Sequence, residues 1–442
     1  MGGYVPATDA DRAAMLQALG LTRMEDLFAC VPEAVRQRAP LDLPPGESEL
    51  EVLERMRGLA ARNTVFPTMF RGVGAYRHFI PGIARSVSGK ETFLTAYTPY
   101  QAEMSQGLLQ AIFEFQTMIC ELTGMDAANA SVYDGATAAA EAAAMCRERA
   151  HTRTVISAAA HPQMIEVVRA YCRAAGTELA IAPAKEGVTD PTALAAMLGG
   201  ADACVIVQQP NFYGLLEDCD ALGEAAHAAG AKFVMSVNPL AAALLRTPAD
   251  CGADIAVGDG QPLGLPLAFG GPSLGFMAAK QALVRRLPGR IVGQTADADG
   301  NRAFVLTLQA REQHIRREKA GSSICSNQAL CALQASVYLA AMGPNGLCAA
   351  AQQSMDNAHA LAGAICDVPG YALRFAGPYF HEFVTTCPAP PERALAALEK
   401  HGVLGGLPLT GELDGCILWC ATELNTQQEI DRVAAVLREV SP

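Results

Sequence analysis

The sequence predicts an α/β fold: a mostly parallel sheet with helices on both faces, an N-terminal helical arm, and a small α+β domain at the C-terminal end. Three observations lead there. From about residue 150 onward, short apolar runs alternate with helical segments, which is the pattern of βαβ units. Those runs (TVISAA, ELAIAP, ACVIVQ, KFVMSV, ADIAVG) are apolar without interruption, as strands covered on both faces must be. After Ala320, the stretch SICSNQALCALQASVYLAAMG reads as a long buried helix leading into mixed strand and helix patterns that end at TQQEIDRVAAVLREV.

Residues 1–65 form the predicted arm, in which Ala14, Leu16, Leu19 and Leu27 fit helical faces. The chain breaks at Pro44-Pro45 and restarts at Ser48, where Glu51 three residues on completes a capping box. Residues 66–330 make the large domain. It opens on RGVGAYRHFIPGIARS, from Arg71 to Ser86, a glycine-rich run with no clear period that reads as a loop beside a functional surface, with His78 next to Tyr76 and Arg77. Leu108, Ile112, Phe115, Ile119 and Leu122 then recur at helical spacing, and Gly124 stops that helix. Asp134 precedes Gly135, Ala136 and Thr137 at the head of an alanine-rich run, the pattern of an N-cap whose following amides can face an anion. In open parallel sheets the site lies beyond the carboxyl ends of the strands, which directs attention to QQPNFYGLLED, SVNPLAA and VGDGQPLGLPLAFGGPSLG. Residues 331–442 hold the linking helix and the small domain.

Composition narrows the function. With 51% hydrophobic and 18% charged residues over 442 positions, the chain has ample core. It contains no apolar run near the length of a membrane span. The first residues, MGGYVPATDADRAAM, have neither a basic head nor an apolar core segment, so a cytoplasmic location is expected. A net charge of −12 argues against nucleic acid or an anionic membrane as partner, since either needs a basic patch. The 14 cysteines include no CxxC pair, and Cys416 and Cys420 share strand parity with Leu418, so packing is expected there rather than metal binding.

The large domain, linking helix and small domain together resemble the fold-type I pyridoxal-phosphate enzymes, the aspartate-aminotransferase-like group. Such an enzyme needs a lysine for the Schiff base and a carboxylate to pair with the pyridine nitrogen. Only six lysines occur, Lys90, Lys185, Lys232, Lys280, Lys319 and Lys400, and none falls between Lys232 and Lys280. Val237 and Asn238 stand where the resemblance expects the acid, and Gln261 and Pro262 stand near the expected lysine. Asp259 lies one strand too late to replace the acid and reads as a turn residue. A self-contained transaminase or desulfurase is therefore disfavoured.

Longer motifs sharpen the resemblance. TAYTPYQAEMSQGLLQAIFEFQTMICELTGMD, SVYDGATAAAEA, QPNFYGLLED, GQPLGLPLAFGGPSLGF and LQAREQHIRREKAGSSICSNQALCAL are similar to the N-terminal-type subunit of the glycine cleavage system P-protein family, over nearly the whole chain. In that family some organisms split the enzyme into two paralogous subunits, and the second bears the lysine. The resemblance implies decarboxylation of glycine on pyridoxal phosphate and transfer of the aminomethyl group to the lipoyl arm of H-protein. It also implies a heterotetramer with two copies of each subunit, the cofactor on the partner, and a wall of the shared site supplied by this chain. A scaffold without a catalytic part is the rival from another class.

Under that implication the candidate site residues are Tyr97, Tyr100, Gln101 and Glu103, where two phenols and an amide can meet a small polar substrate; a buried loop with satisfied hydroxyls is the plain alternative. Tyr133, Asp134 and Thr137 occupy the family's phosphate-binding helix start, either as contacts or as a structural cap. HIRREK, from His314 to Lys319, concentrates basic charge in an acidic chain and reads as an exposed face or as a patch that orients a partner.

Overall fold

The computed structural model describes residues 6–36, 43–96, 99–309 and 312–441. Two compact units divide it, Met1–Val65 and Phe66–Pro442. The first holds helices Asp9–Ala18 and Glu49–Ala60, each opened by a capping box, Thr8 with Asp11 and Ser48 with Glu51. Neither helix contains a buried residue.

The second unit is built on a seven-stranded sheet: β1 Ala127–Ala128, β2 Arg153–Ser157, β3 Leu179–Ala182, β4 Asp202–Gln209, β5 Lys232–Val237, β6 Ile255–Asp259 and β7 Gly275–Ala279. Their spatial order is β1-β7-β6-β5-β4-β2-β3. The five strands read from apolar runs, β2 to β6, pair in parallel. The antiparallel edge formed by β7 with β6 and β1 adds to that reading. Arg153 and Asp202 tie the starts of β2 and β4 with two short charged hydrogen bonds, 2.6 and 2.8 Å.

Helix α1, Gln106–Thr123, buries Leu109, Ile112, Phe115 and Ile119 and ends at Gly124, whose φ of 70° needs no Cβ. Leu108 and Leu122, read as core positions, are only half-buried, because the buried stripe runs through Leu109, Gln116 and Thr123 instead. Helix α2, Gly135–Cys146, packs five fully buried alanines against the sheet, and small side chains let the two backbones approach closely. The long helix α3, Ala329–Cys366, starts later than the sequence predicts, since Gly321–Gln328 is non-helical. It kinks at Gly343 and Pro344, where the proline lacks an amide hydrogen.

The last layer is a four-stranded antiparallel sheet centred on β8 Glu382–Thr386 and β9 Cys416–Cys420, backed by helices Pro391–Lys400 and Gln427–Val440. Trp419, Phe383, Leu398 and Val433 fill its core, and Cys416 and Cys420 lie buried in β9. Thr68–Met69 also joins this layer, in parallel with Val403–Leu404. Among the described residues no helix is long and apolar enough to cross a membrane.

Candidate functional site

A cavity of about 380 Å³ opens beyond the carboxyl ends of β4, β5 and β6, where strand topology directs the search. Gln208, Ser236, Asn238 and Asp259 come from those strand ends, Asp134 and Gly135 from the start of α2, and His161 from the end of the β2 connection. The Val73–Tyr76 loop makes one wall, and Met164 and Val167 add apolar surface.

Several polar groups here are held by other parts of the same chain. His161 accepts from the Gln163 amide at 3.1 Å, while its backbone amide donates to Gln208 at 2.8 Å. Burial lowers its pKa, so the imidazole is neutral near pH 7. Asn238 caps the turn after β5, accepting from the amides of Leu240 and Ala241. Gln261 is nearly fully buried; it accepts from the Tyr76 amide and donates to the carbonyls of Tyr76 and Leu265, each at 2.8 Å. The residue near the expected lysine position is thus a pin for the glycine-rich loop. That loop is held again by Glu382, which accepts from the Val73 amide at 2.7 Å and the Tyr76 hydroxyl at 2.8 Å. Burial pushes the Glu382 carboxyl up to about 7. His78, read as a surface neighbour, is buried against Glu423 at 2.7 Å.

The start of α2 is closed in the same way. Asp134 accepts from the Thr137 amide at 2.7 Å, so the predicted cap is present. Asp259 reaches across from β6 and accepts from the Gly135 amide at 3.0 Å, from Gln261 at 2.9 Å and from the Ser273 hydroxyl at 2.7 Å. Burial pushes its carboxyl above the ordinary range, the three donors pull it back, and Asp134 adds to the rise. The turn role read from sequence holds for Gln261, but the contact with α2 joins residues 124 apart and has no sequence signal.

Tested against pyridoxal phosphate, this cavity does not fit. No lysine or arginine is among its described lining residues, no acid ends β5, and the first amide of α2 is already taken. Of the predicted cofactor residues only Asp134 lines the cavity; Thr137 engages it through its backbone, and Tyr133 is 40% exposed.

The predicted wall lies ahead of α1 and is separate from that cavity. Tyr97 and Thr98 fall outside the described residues. Tyr100 is half-buried, donates to Asn327 Oδ1 at 2.9 Å and carries the Arg290 guanidinium 5.0 Å from its ring centroid. Arg290 in turn pairs with buried Glu312 at 2.6 Å. Burial raises the Tyr100 pKa, so the phenol keeps its proton at neutral pH. Gln101 and Glu103 are exposed. Behind them Gln106 and Gln116, missed by the sequence reading, clamp a hairpin of Val292–Ala296 and Arg302–Leu306. Each uses its amide twice, Gln106 on Phe304 and Gln116 on Val292, at 2.8 to 2.9 Å.

Residues 2–437 match the family described as glycine cleavage system P-protein. A relative from Desulfitobacterium hafniense named probable glycine dehydrogenase (decarboxylating) subunit 1 is 48% identical over 99% of each chain. A namesake from Moorella thermoacetica is also 48% identical, over 99% of each chain. A crystal structure of glycine decarboxylase (P-protein) in inhibitor-bound form superposes with a TM-score of 0.93 at 44% identity, covering 99% of this chain and 100% of that one. An aspartate aminotransferase from Thermus thermophilus shares the fold at 16% identity, with a TM-score of 0.59 over 84% of this chain and 98% of that one.

Proposed function

Because the chain belongs to the glycine cleavage system P-protein family, we propose that it acts as subunit 1 of a two-subunit glycine dehydrogenase (decarboxylating). Its lysine-bearing partner holds pyridoxal phosphate, which supplies the electron sink for decarboxylation of glycine, and the aminomethyl group passes to the lipoyl arm of H-protein. Two copies of each subunit assemble in the cytoplasm.

One observation carries this reading. The strand-end cavity has no lysine or arginine among its described lining residues and the Gly135 and Thr137 amides are taken by Asp259 and Asp134, yet the chain keeps a polar aromatic wall outside it. In this reading Tyr97, Tyr100, Gln101 and Glu103 face the partner's site. Tyr100, held protonated with its hydrogen given to Asn327, presents its hydroxyl oxygen as an acceptor; Gln101 and Glu103 are exposed and able to meet glycine or the partner's loops. Thr137 serves the cap of α2 through its backbone amide rather than a phosphate.

Co-purification with the lysine-bearing paralogue, then glycine–carbon dioxide exchange with each chain alone and with both, tests the proposal. Exchange is expected only from the pair. A borohydride-reducible chromophore on this chain alone overturns it. If wall variants that assemble normally keep full exchange, the chain is a scaffold.

A further inference from the structure

Lacking a lysine removes the covalent link to a cofactor, but not its non-covalent hold. A cavity of about 380 Å³ at strand ends, beside the N-terminus of a 12-residue helix, would still be expected to attract a phosphorylated ligand. The carboxyl group of Asp259 meets that expectation from inside the chain. We propose that Asp259 is an internal substitute for a phosphate, and that it keeps phosphorylated pyridoxal out of this chain so that cofactor loads only on the partner. This deepens, and rests on, the reading that the partner holds the cofactor.

The geometry matches that of a bound anion. Asp259 collects a helix-start amide from Gly135, a loop amide from Gln261 and the hydroxyl of Ser273, the donor kinds an oxyanion takes at such a site. The contact is tight: a Cβ on Gly135 would lie 2.8 Å from the Asp259 backbone nitrogen, so the strand end abuts the helix start and the Asp259 carboxyl occupies the Gly135 amide. Electrostatics agrees. A phosphate carrying about two negative charges would meet two acidic side chains, Asp134 and Asp259. The described lining offers no lysine or arginine in compensation, and His161 is neutral. Ordinary turn-making by Asp259 explains the bond to Gln261, but not the one that reaches Gly135 on another element.

The test uses the full chain without its partner and compares pyridoxal 5′-phosphate with pyridoxal, so the phosphate contribution is read as a ratio of affinities. Inorganic phosphate is added in a parallel thermal-shift series. Wild type is expected to bind the two aldehydes within about twofold of each other and to gain no thermal stability from phosphate. Asp259→Asn keeps the shape and an acceptor oxygen but removes the charge, and Asp259→Ala also opens space. Either variant is expected to favour the phosphorylated aldehyde by about tenfold or more and to be stabilised by phosphate. Ser273→Ala, which leaves the acid in place, is expected to behave as wild type.

A wild-type ratio of about tenfold overturns the proposal, as does an unchanged ratio in folded Asp259→Asn. Should the alanine variant fail to fold, the isosteric asparagine decides alone; should both fail, the wild-type ratio decides. These outcomes are independent of the functional reading, whose failure appears as a borohydride-reducible adduct on this chain or as exchange activity without the partner.

Discussion

In the strand-end cavity the polar groups face inward on the chain itself. Asp259 closes the helix start, Gln261 pins the glycine-rich loop, and Asn238 caps the turn after β5. In the wall ahead of α1 only the scaffold is fixed: Tyr100 is anchored by Asn327 and Arg290, while Gln101 and Glu103 stay exposed. The difference teaches where a fold has been kept for shape and where it has been kept for contact. Buried groups with every bond made within the chain serve stability, and polar groups left outward on a rigid base are the ones available to another molecule.

Gln261→Ala gives the largest expected effect on the cavity side. It strips a donor or acceptor from three buried backbone groups, and at roughly 1 kcal/mol per bond plus the cost of stranding them it should remove about 3–4 kcal/mol of stability. Denaturant unfolding measures this. Exchange per folded molecule in the reconstituted pair should stay near wild type; intact stability with lost exchange would move Gln261 into the chemistry.

Glu382 provides a slightly smaller effect with a pH signature. Its folded pKa of about 7 lies above the unfolded carboxyl value, so between the two the folded chain binds more protons. The stability it contributes is therefore complete below the unfolded value and is lost as pH rises through about 7, on the order of 3 kcal/mol. Glu382→Gln, a mimic of the protonated acid, should flatten unfolding free energy between about pH 5 and 8 and be the more stable protein at the upper end. Equal pH slopes for the two proteins would place the titration elsewhere.

The wall side should respond in kinetics instead. Tyr97→Phe and Tyr100→Phe are each expected to lower glycine–carbon dioxide exchange by about five- to tenfold, the value of one hydrogen bond, while leaving assembly intact. Unchanged rates in both variants remove the tyrosines from the shared site.

Much of this contrast was legible in the sequence, and its limits have physical causes. Strands β2 and β4 to β6 announce themselves because burial on both faces demands unbroken apolar runs, whereas β3, at the sheet edge, is apolar yet partly exposed; Gly124 and Asp134 mark helix ends through local backbone chemistry. A missing lysine can be counted. The hairpin at Val292–Leu306 escaped because most of its first strand is polar and exposed. The start of α3 lies later than predicted because SICSNQ contains no glycine or proline to mark the boundary, yet is not helical. Asp259 at Gly135, Gln261 at Tyr76 and Tyr100 at Asn327 are contacts between distant segments, which periodicity does not encode.

The smallest expected effect concerns the basic run after the wall. His314, Arg316 and Arg317 are exposed, so their charge acts through solvent and is screened within about 10 Å at ordinary salt. Such charges steer encounter more than they hold a complex together. Reversing Arg316 and Arg317 to glutamate should therefore slow association with the partner subunit, or with lipoylated H-protein, by about threefold at low salt. The deficit should vanish near 0.5 M salt, where screening is nearly complete, with dissociation rates unchanged throughout. Stopped-flow association across a salt series separates the two partners, because only the one that meets this patch will lose its salt dependence. If neither does, the basic run is a solvated face and the wall's outward contact is confined to the residues ahead of α1.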